Sequence, residues 1–294
     1  MKNYPLVLLV PLLACICLGR ALAADAPPSP TNPFFAFCMD IQDSQKRSLP
    51  EQAQLLKELG YDGVGHLWLA NVAERIRTLD ATGLALTQIQ MALDLTPGKP
   101  AFDPALKDVL PLLKGRHVQI DLMINGLKPG DPSGEARAIE LLRQLSDMAN
   151  DSGTEWLLYH HTGSWLDHID DAVRLADKVD RPNVQVMFNL CHWLRLEKSR
   201  DYRAVLQRAM PHLRAVSISG ADIQSDAPDW SGYIKPLGHG SFDVFAFLQT
   251  LRELGYIGPI GLQCYGLPGD ARVYLAESIK VWRDYSSRLP PLPH

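Results

Sequence analysis

Cysteine is scarce in this 294-residue chain: there are five, and Cys15 and Cys17 fall in an apolar N-terminal stretch. That leaves Cys38, Cys191 and Cys264. Their number is odd, their spacing forms no zinc pattern and each lies in an apolar run, which favours buried thiols over a disulfide framework and leaves only a Cys38–Cys264 bridge open. Basic runs are missing too. With a formal net charge of −4, this argues against nucleic acid as a partner. Beyond Leu18 no segment is long and apolar enough to span a bilayer. No Gly-rich turn follows the first expected strand, as a doubly wound dinucleotide-binding sheet would want.

What is present begins with an export signal. Lys2 gives a small basic region, Leu6 to Leu18 is almost wholly apolar, and Ala21-Leu22-Ala23 fits a small-x-small cleavage site. Residues 1–23 therefore read as a signal peptide, and the mature protein as periplasmic or secreted. A lipoprotein reading through Cys15 fits less well, because Leu13 stands where a small residue is wanted. Residues 24–33, rich in Pro and small residues, read as a disordered leader, and 289–294 as a loose tail.

Between them strand and helix alternate. Strands are predicted at Phe34–Asp40, Asp62–His66, Leu84–Leu93, Val118–Ile124, Glu155–His161, Val184–His192, Ala215–Ser219 and Pro259–Tyr265. Helical signals separate them. Ser48-Leu49-Pro50-Glu51 has capping-box spacing, and Ile139, Leu142, Leu145 and Met148 recur at helical steps. Eight such units within residues 34–288 predict a single-domain α/β fold, a (β/α)₈ barrel.

The active site of such a barrel lies at the C-terminal ends of its strands. The polar residues there are Asp40, His66, Gln88 with Gln90, Asp121 with Asn125, Tyr159 with His160 and His161, Asn189 with His192, Ser217 with Ser219, and Gln263 with Tyr265. Alternation puts Tyr159 and His161 on one face and His160 on the other. Imidazoles titrate near neutrality, which suits a general acid or base. Amides do not titrate, so Gln88, Gln90, Asn125, Asn189 and Gln263 are expected to orient a polyol. Lys235 and Arg195 are the obvious cations near the mouth. Asp121 is open to a second reading, as a partner of Lys or Arg in a barrel layer. Trp68, Trp165, Trp193 and Tyr265 are candidates for stacking on a sugar.

From Glu155 to Tyr265 these strand ends, in their order, resemble the xylose-isomerase-like barrels, the sugar phosphate isomerase/epimerase group. Tyr159-His160-His161 stands where the family has Glu-Asn-His, Asn189-Leu190-Cys191-His192 where it has Asp-x-x-His, and Leu262-Gln263 where it has Leu-x-Glu. Ser217-Ile218-Ser219 occupies the third strand end. The resemblance implies a divalent metal held at Tyr159, Asn189, Ser217 and Gln263. None of these is a carboxylate or an imidazole, so no metal of the usual kind is expected. A softer site from His161, His192 and His66, taking zinc or another divalent ion such as manganese, stays open. The expected activity is isomerisation, epimerisation or β-elimination of a small carbohydrate by proton transfer next to a carbonyl. Catalysis falls to His161, His192 and Tyr159, and substrate binding to His66, Gln88, Gln90, Asn125, Asn189, Gln263 and Lys235. The alternative is a sugar-binding barrel that has lost catalysis with its ligand set.

Overall fold

The computed structural model describes residues 31–292. The expected signal peptide, most of the leader and the end of the tail lie outside the described residues. Eight strands follow one another: β1 (Phe34–Phe37), β2 (Gly63–Leu67), β3 (Ala85–Asp94), β4 (Gln119–Asn125), β5 (Glu155–Tyr159), β6 (Val184–Asn189), β7 (Leu213–Ile218) and β8 (Ile260–Gln263). All pair in parallel in sequence order. β8 returns to β1 through Phe34↔Ile260 and Phe37↔Gln263, closing the barrel. Helices α1 (Leu49–Leu59), α2 (Val72–Thr82), α3 (Leu106–Leu113), α4 (Glu135–Met148), α5 (Ile169–Val179), α6 (Leu190–Leu196), α7 (Tyr202–Ala209), α8 (Val244–Glu253) and α9 (Ala271–Arg288) surround it. The chain is thus a single-domain (β/α)₈ barrel. Among the described residues no helix is long and apolar enough to cross a membrane.

The strands are apolar on both faces because both are covered. Outward residues such as Phe34, Ala36, Leu158, Val186 and Val216 pack with the helices. Inward residues Phe35, Phe37, Leu157, Tyr159, Met187 and Ala215 form a second cluster in the lumen. Burying side chains of this size contributes roughly 1.5–3 kcal/mol each. Two glycines make room for the lumen aromatics: a Cβ at Gly65 would lie 2.7 Å from Phe37, and one at Gly261 would lie 2.7 Å from Phe35. The expected capping box is present, with the Glu51 carboxylate accepting from the Ser48 N–H at 2.8 Å.

Five strands, β1, β5, β6, β7 and β8, end earlier than their apolar runs suggest. β1 stops at Phe37 because Cys38 adopts a left-handed conformation (φ 58°). β5 stops at Tyr159. β6 stops at Asn189, whose side-chain oxygen accepts from the Cys191 N–H at 3.2 Å and so caps α6. His192 is therefore in the first turn of a helix, not on a strand. Cys38, Cys191 and Cys264 are buried free thiols, so the bridge left open above does not form.

Candidate active site

At the C-terminal mouth the strand ends enclose a cavity of about 380 Å³. Tyr159, His161, Cys191 and His192 line it from β5, α6 and the chain following β5, with Gln90 and Gln263 alongside. Ile41, Leu67, Trp68, Met123, Trp230, Ile234 and Tyr265 supply an apolar lining.

A hydrogen-bonded knot ties the polar side together. The Asn189 amide donates to the Tyr159 hydroxyl oxygen at 2.7 Å. His192 Nε2 lies 3.1 Å from the same oxygen. His192 Nδ1 is 3.2 Å from the Thr162 N–H, which can only donate. Nδ1 therefore carries the lone pair. Burial holds His192 well below the usual imidazole pKa of 6.5, reinforced by His161, His160 and Arg195, so the ring is neutral. Its proton is then on Nε2 and is donated to Tyr159. With two donors on its oxygen, Tyr159 keeps its own O–H for a ligand in the cavity. Burial raises the Tyr159 pKa well above the usual phenol value, so that proton stays on.

His161 is different. Its Nδ1 lies 3.3 Å from the Ser164 hydroxyl, and Nε2 has no hydrogen-bond partner among the described residues. Its ring centroid is 4.2 Å from that of His192 and 5.7 Å from that of Tyr159. Burial lowers its pKa below 6.5, so at neutral pH it is a free base. His160 faces away, as alternation requires. Its Nε2 accepts from the Asn189 N–H at 2.9 Å, and burial takes its pKa down to about 3.

Several expected substrate-binding residues do not reach the cavity. The ring of His66 bonds the Ala70 carbonyl (2.7 Å) and the guanidinium of buried Arg75 on α2 (3.3 Å), because its position on β2 points outward. Gln88 is deep in the lumen, donating to Gln119 at 3.3 Å. Asn125 turns back on the Met123 carbonyl (3.3 Å), and Lys235 is neutralised by Asp222 at 2.6 Å. Asp121 has no cation partner. It is fully buried, neither oxygen has a partner in hydrogen-bond geometry, and burial pushes its pKa up to about 8, although the nearby Gln90 amide, too poorly aligned for a full hydrogen bond, pulls the other way. Trp193 packs on Phe188, and Trp165 donates to the Asp131 carbonyl at 2.7 Å, so neither stacks at the mouth. Trp68 and Tyr265 do line it.

Sequence reasoning missed Trp230. Its ring meets His192 edge to face at 4.8 Å, while the Arg195 guanidinium covers it at 4.4 Å and bonds the Asp229 and Pro228 carbonyls. It belongs to the long connection between β7 and α8, where no periodicity marks a site. Thr162 was missed as well, since its contribution is largely a backbone N–H.

The donors do not suit a divalent metal. At the four positions implied by motif order, the Tyr159 oxygen accepts from Asn189 and His192, Asn189 Oδ1 accepts from Cys191, Gln263 Oε1 accepts from the Tyr265 N–H at 3.0 Å, and Ser217 is a buried hydroxyl. No carboxylate offsets the dehydration of a hard cation. With His66 turned outward, the three-imidazole alternative is not assembled. Among the described residues no group of three or more His, Cys, Asp or Glu is placed to hold an ion.

Barrel, mouth cavity and strand-end order together define a class, and residues 53–285 match the family described as xylose isomerase-like TIM barrel. The chain belongs to that family. No curated protein matches it. Among solved structures it is similar to a D-allulose 3-epimerase from Methylomonas sp. in complex with D-allulose, with a TM-score of 0.68 and 16% identity over 87% of this chain and 97% of that one. A xylose isomerase-like protein from Mycobacterium smegmatis in complex with magnesium gives 0.64 and 19%, over 89% and 99%. The probable 3-DHS dehydratase from Bacillus anthracis gives 0.66 and 17%, over 85% and 98%.

Proposed function

We propose that this protein is an exported enzyme that moves a proton next to the carbonyl of an unphosphorylated carbohydrate without a bound metal. In this reading His161 Nε2 takes the proton from the carbon beside the carbonyl. The electron pair moves onto the carbonyl oxygen, which receives the Tyr159 O–H as its charge develops. Protonation of the same carbon on its opposite face by water gives the epimer; return of the His161 proton to the former carbonyl carbon, while the hydroxyl proton on the deprotonated carbon passes to the enolate oxygen, gives the isomer. Elimination follows when the enolate re-forms its carbonyl and the bond to a β-substituent breaks, the departing oxygen taking the proton held by His161. His192 and Asn189 position Tyr159 and do not themselves exchange protons with substrate.

The observation that carries this reading is the juxtaposition of a free imidazole nitrogen and a phenol whose oxygen already accepts two hydrogen bonds. Proteins of similar fold support it as well, because they include a D-allulose 3-epimerase and a probable 3-DHS dehydratase. The expected signal peptide supports a substrate without phosphate, as does a cavity with no Arg or Lys in its lining.

The test is incubation with keto-sugars and oxidised glycosides in deuterated water, followed by NMR. Exchange at carbon is expected and should rise with pH through an apparent pKa below 6.5, because His161 must be unprotonated to act. His161→Ala should lower it by about 10²–10⁴-fold. The second reading is a sugar-binding barrel without turnover, favoured by the lack of any carboxylate or imidazole at the four family ligand positions. Saturable binding with no carbon-bound exchange would establish that instead.

A further inference from the structure

The mouth cavity has two chemically distinct arcs. Its hydrogen-bonded polar side, with Tyr159, His161 and His192, comes from β5–β6, and Gln90 and Gln263 add single amides from β3 and β8. Across the barrel, β8, β1 and β2 are adjacent strands, and the chain following them contributes Tyr265, Ile41 and Trp68. Of the seven large hydrophobic side chains left exposed among the described residues, these three are on the rim of this one cavity, at 40%, 42% and 46% exposure. An apolar cluster held open to water beside a polar site marks a binding surface. Trp68 also adopts a left-handed conformation (φ 67°), uncommon for a bulky residue and costly unless the surroundings enforce it. Its N–H is fixed to the Gln90 carbonyl at 2.9 Å, which places the indole at the rim.

The lining is also uncharged. Lys235 is paired with Asp222, and Arg195 lies on Trp230 with its N–H groups on backbone carbonyls. An anionic ligand would lose its hydration here with no cation to replace it.

We infer that the ligand is a neutral glycoside with a ketone in its oxidised sugar ring and an apolar aglycone: the sugar sits against Tyr159, His161 and Gln263, and the aglycone against Trp68, Ile41 and Tyr265. This rests on the carbohydrate reading and specifies its substrate class. A free sugar would leave the apolar arc exposed. A sugar phosphate or uronate would bring an uncompensated charge.

The experiment is a calorimetric titration, with tryptophan fluorescence in parallel, of matched methyl and phenyl glycosides of several neutral sugars, each with one ring hydroxyl oxidised to a ketone, alongside the phenyl glucuronide and a sugar phosphate. The phenyl member of a binding pair should bind about tenfold more tightly than the methyl member. The anionic probes should bind at least about tenfold more weakly than their neutral counterparts. Trp68→Ala and Tyr265→Ala should each bring the phenyl-to-methyl ratio toward one, and because Tyr265 is exposed, its variant tests the arc even if the Trp68 variant folds poorly. Equal binding of both members, tighter binding of an anionic probe, or no binding by any glycoside would overturn the inference. Phenyl-selective binding of the keto-glycosides without deuterium exchange at the carbon beside their ketone would sink the catalytic reading and keep this one. Exchange on free keto-sugars without phenyl preference would do the reverse.

Discussion

Two polar assemblies occupy the same barrel and are treated in opposite ways. Around Tyr159 the polar atoms are partnered: Asn189 bonds Tyr159, Cys191 and His160, and His192 uses both ring nitrogens. Elsewhere in the lumen both Asp121 oxygens, Gln88 Oε1 and Ser217 Oγ are fully buried without a partner. The low local dielectric strengthens a satisfied network and penalises an unsatisfied one. The first assembly is thus a rigid mount for one phenol proton, whereas the second costs the fold stability and gives the proposed chemistry nothing it needs.

Three substitutions probe that contrast. Tyr159→Phe should have the largest effect, because it removes the hub and leaves the donors of Asn189 and His192 unpaired. A loss of about 2 kcal/mol in denaturant unfolding is expected, with a fall of about 10²–10³ in carbon-bound exchange. Unchanged stability would mean that the knot is not mutually supporting. Asp121→Asn should act in the opposite direction. The native carboxyl titrates near pH 8 instead of 3.8, so the unfolded chain ionises first. The stability attached to this group is intact below pH 3.8 and is lost as the pH rises toward 8. The variant should gain at least about 1 kcal/mol near neutrality and lose that portion of the pH dependence, as read from unfolding curves across the range. A variant with the wild-type slope would show that Asp121 is hydrated in solution. Thr162→Ala is the mildest. Its hydroxyl lies 3.0 Å from His192 Nδ1, yet the Thr162 N–H still donates there. The expected cost is below about 1 kcal/mol, and nitrogen NMR should still find the His192 proton on Nε2. A proton on Nδ1 would remove the stated reason for the free Tyr159 hydrogen.

Much of this was legible in advance because it depends on period and order. Eight apolar runs alternating with helical segments are enough to specify a barrel, and barrel geometry puts Tyr159, His161, Asn189 and Gln263 at one end. The errors share a cause. His66 and Gln88 stand in the right strands, but facing and depth decide whether a strand residue reaches the mouth, and both depend on register. Lys235 was misjudged because its counter-ion, Asp222, lies thirteen residues earlier, with nothing local to mark the pairing. Trp230 was invisible because a long irregular connection carries it.

By itself the sequence determined the fold class, the absence of carboxylates at the family's ligand positions, and the presence of His161 and His192 in the mouth region, because these follow from residue identity and spacing. Only the tertiary structure separated the two histidines. Asn189 caps α6 and turns the chain, so His192 swings onto Tyr159 and Thr162, and both its nitrogens are taken. His161, one residue past a strand that ends at Tyr159, retains an unpaired nitrogen at the cavity. Which imidazole is free to act depends on hydrogen bonds between groups about thirty residues apart, and those exist only once the barrel has closed.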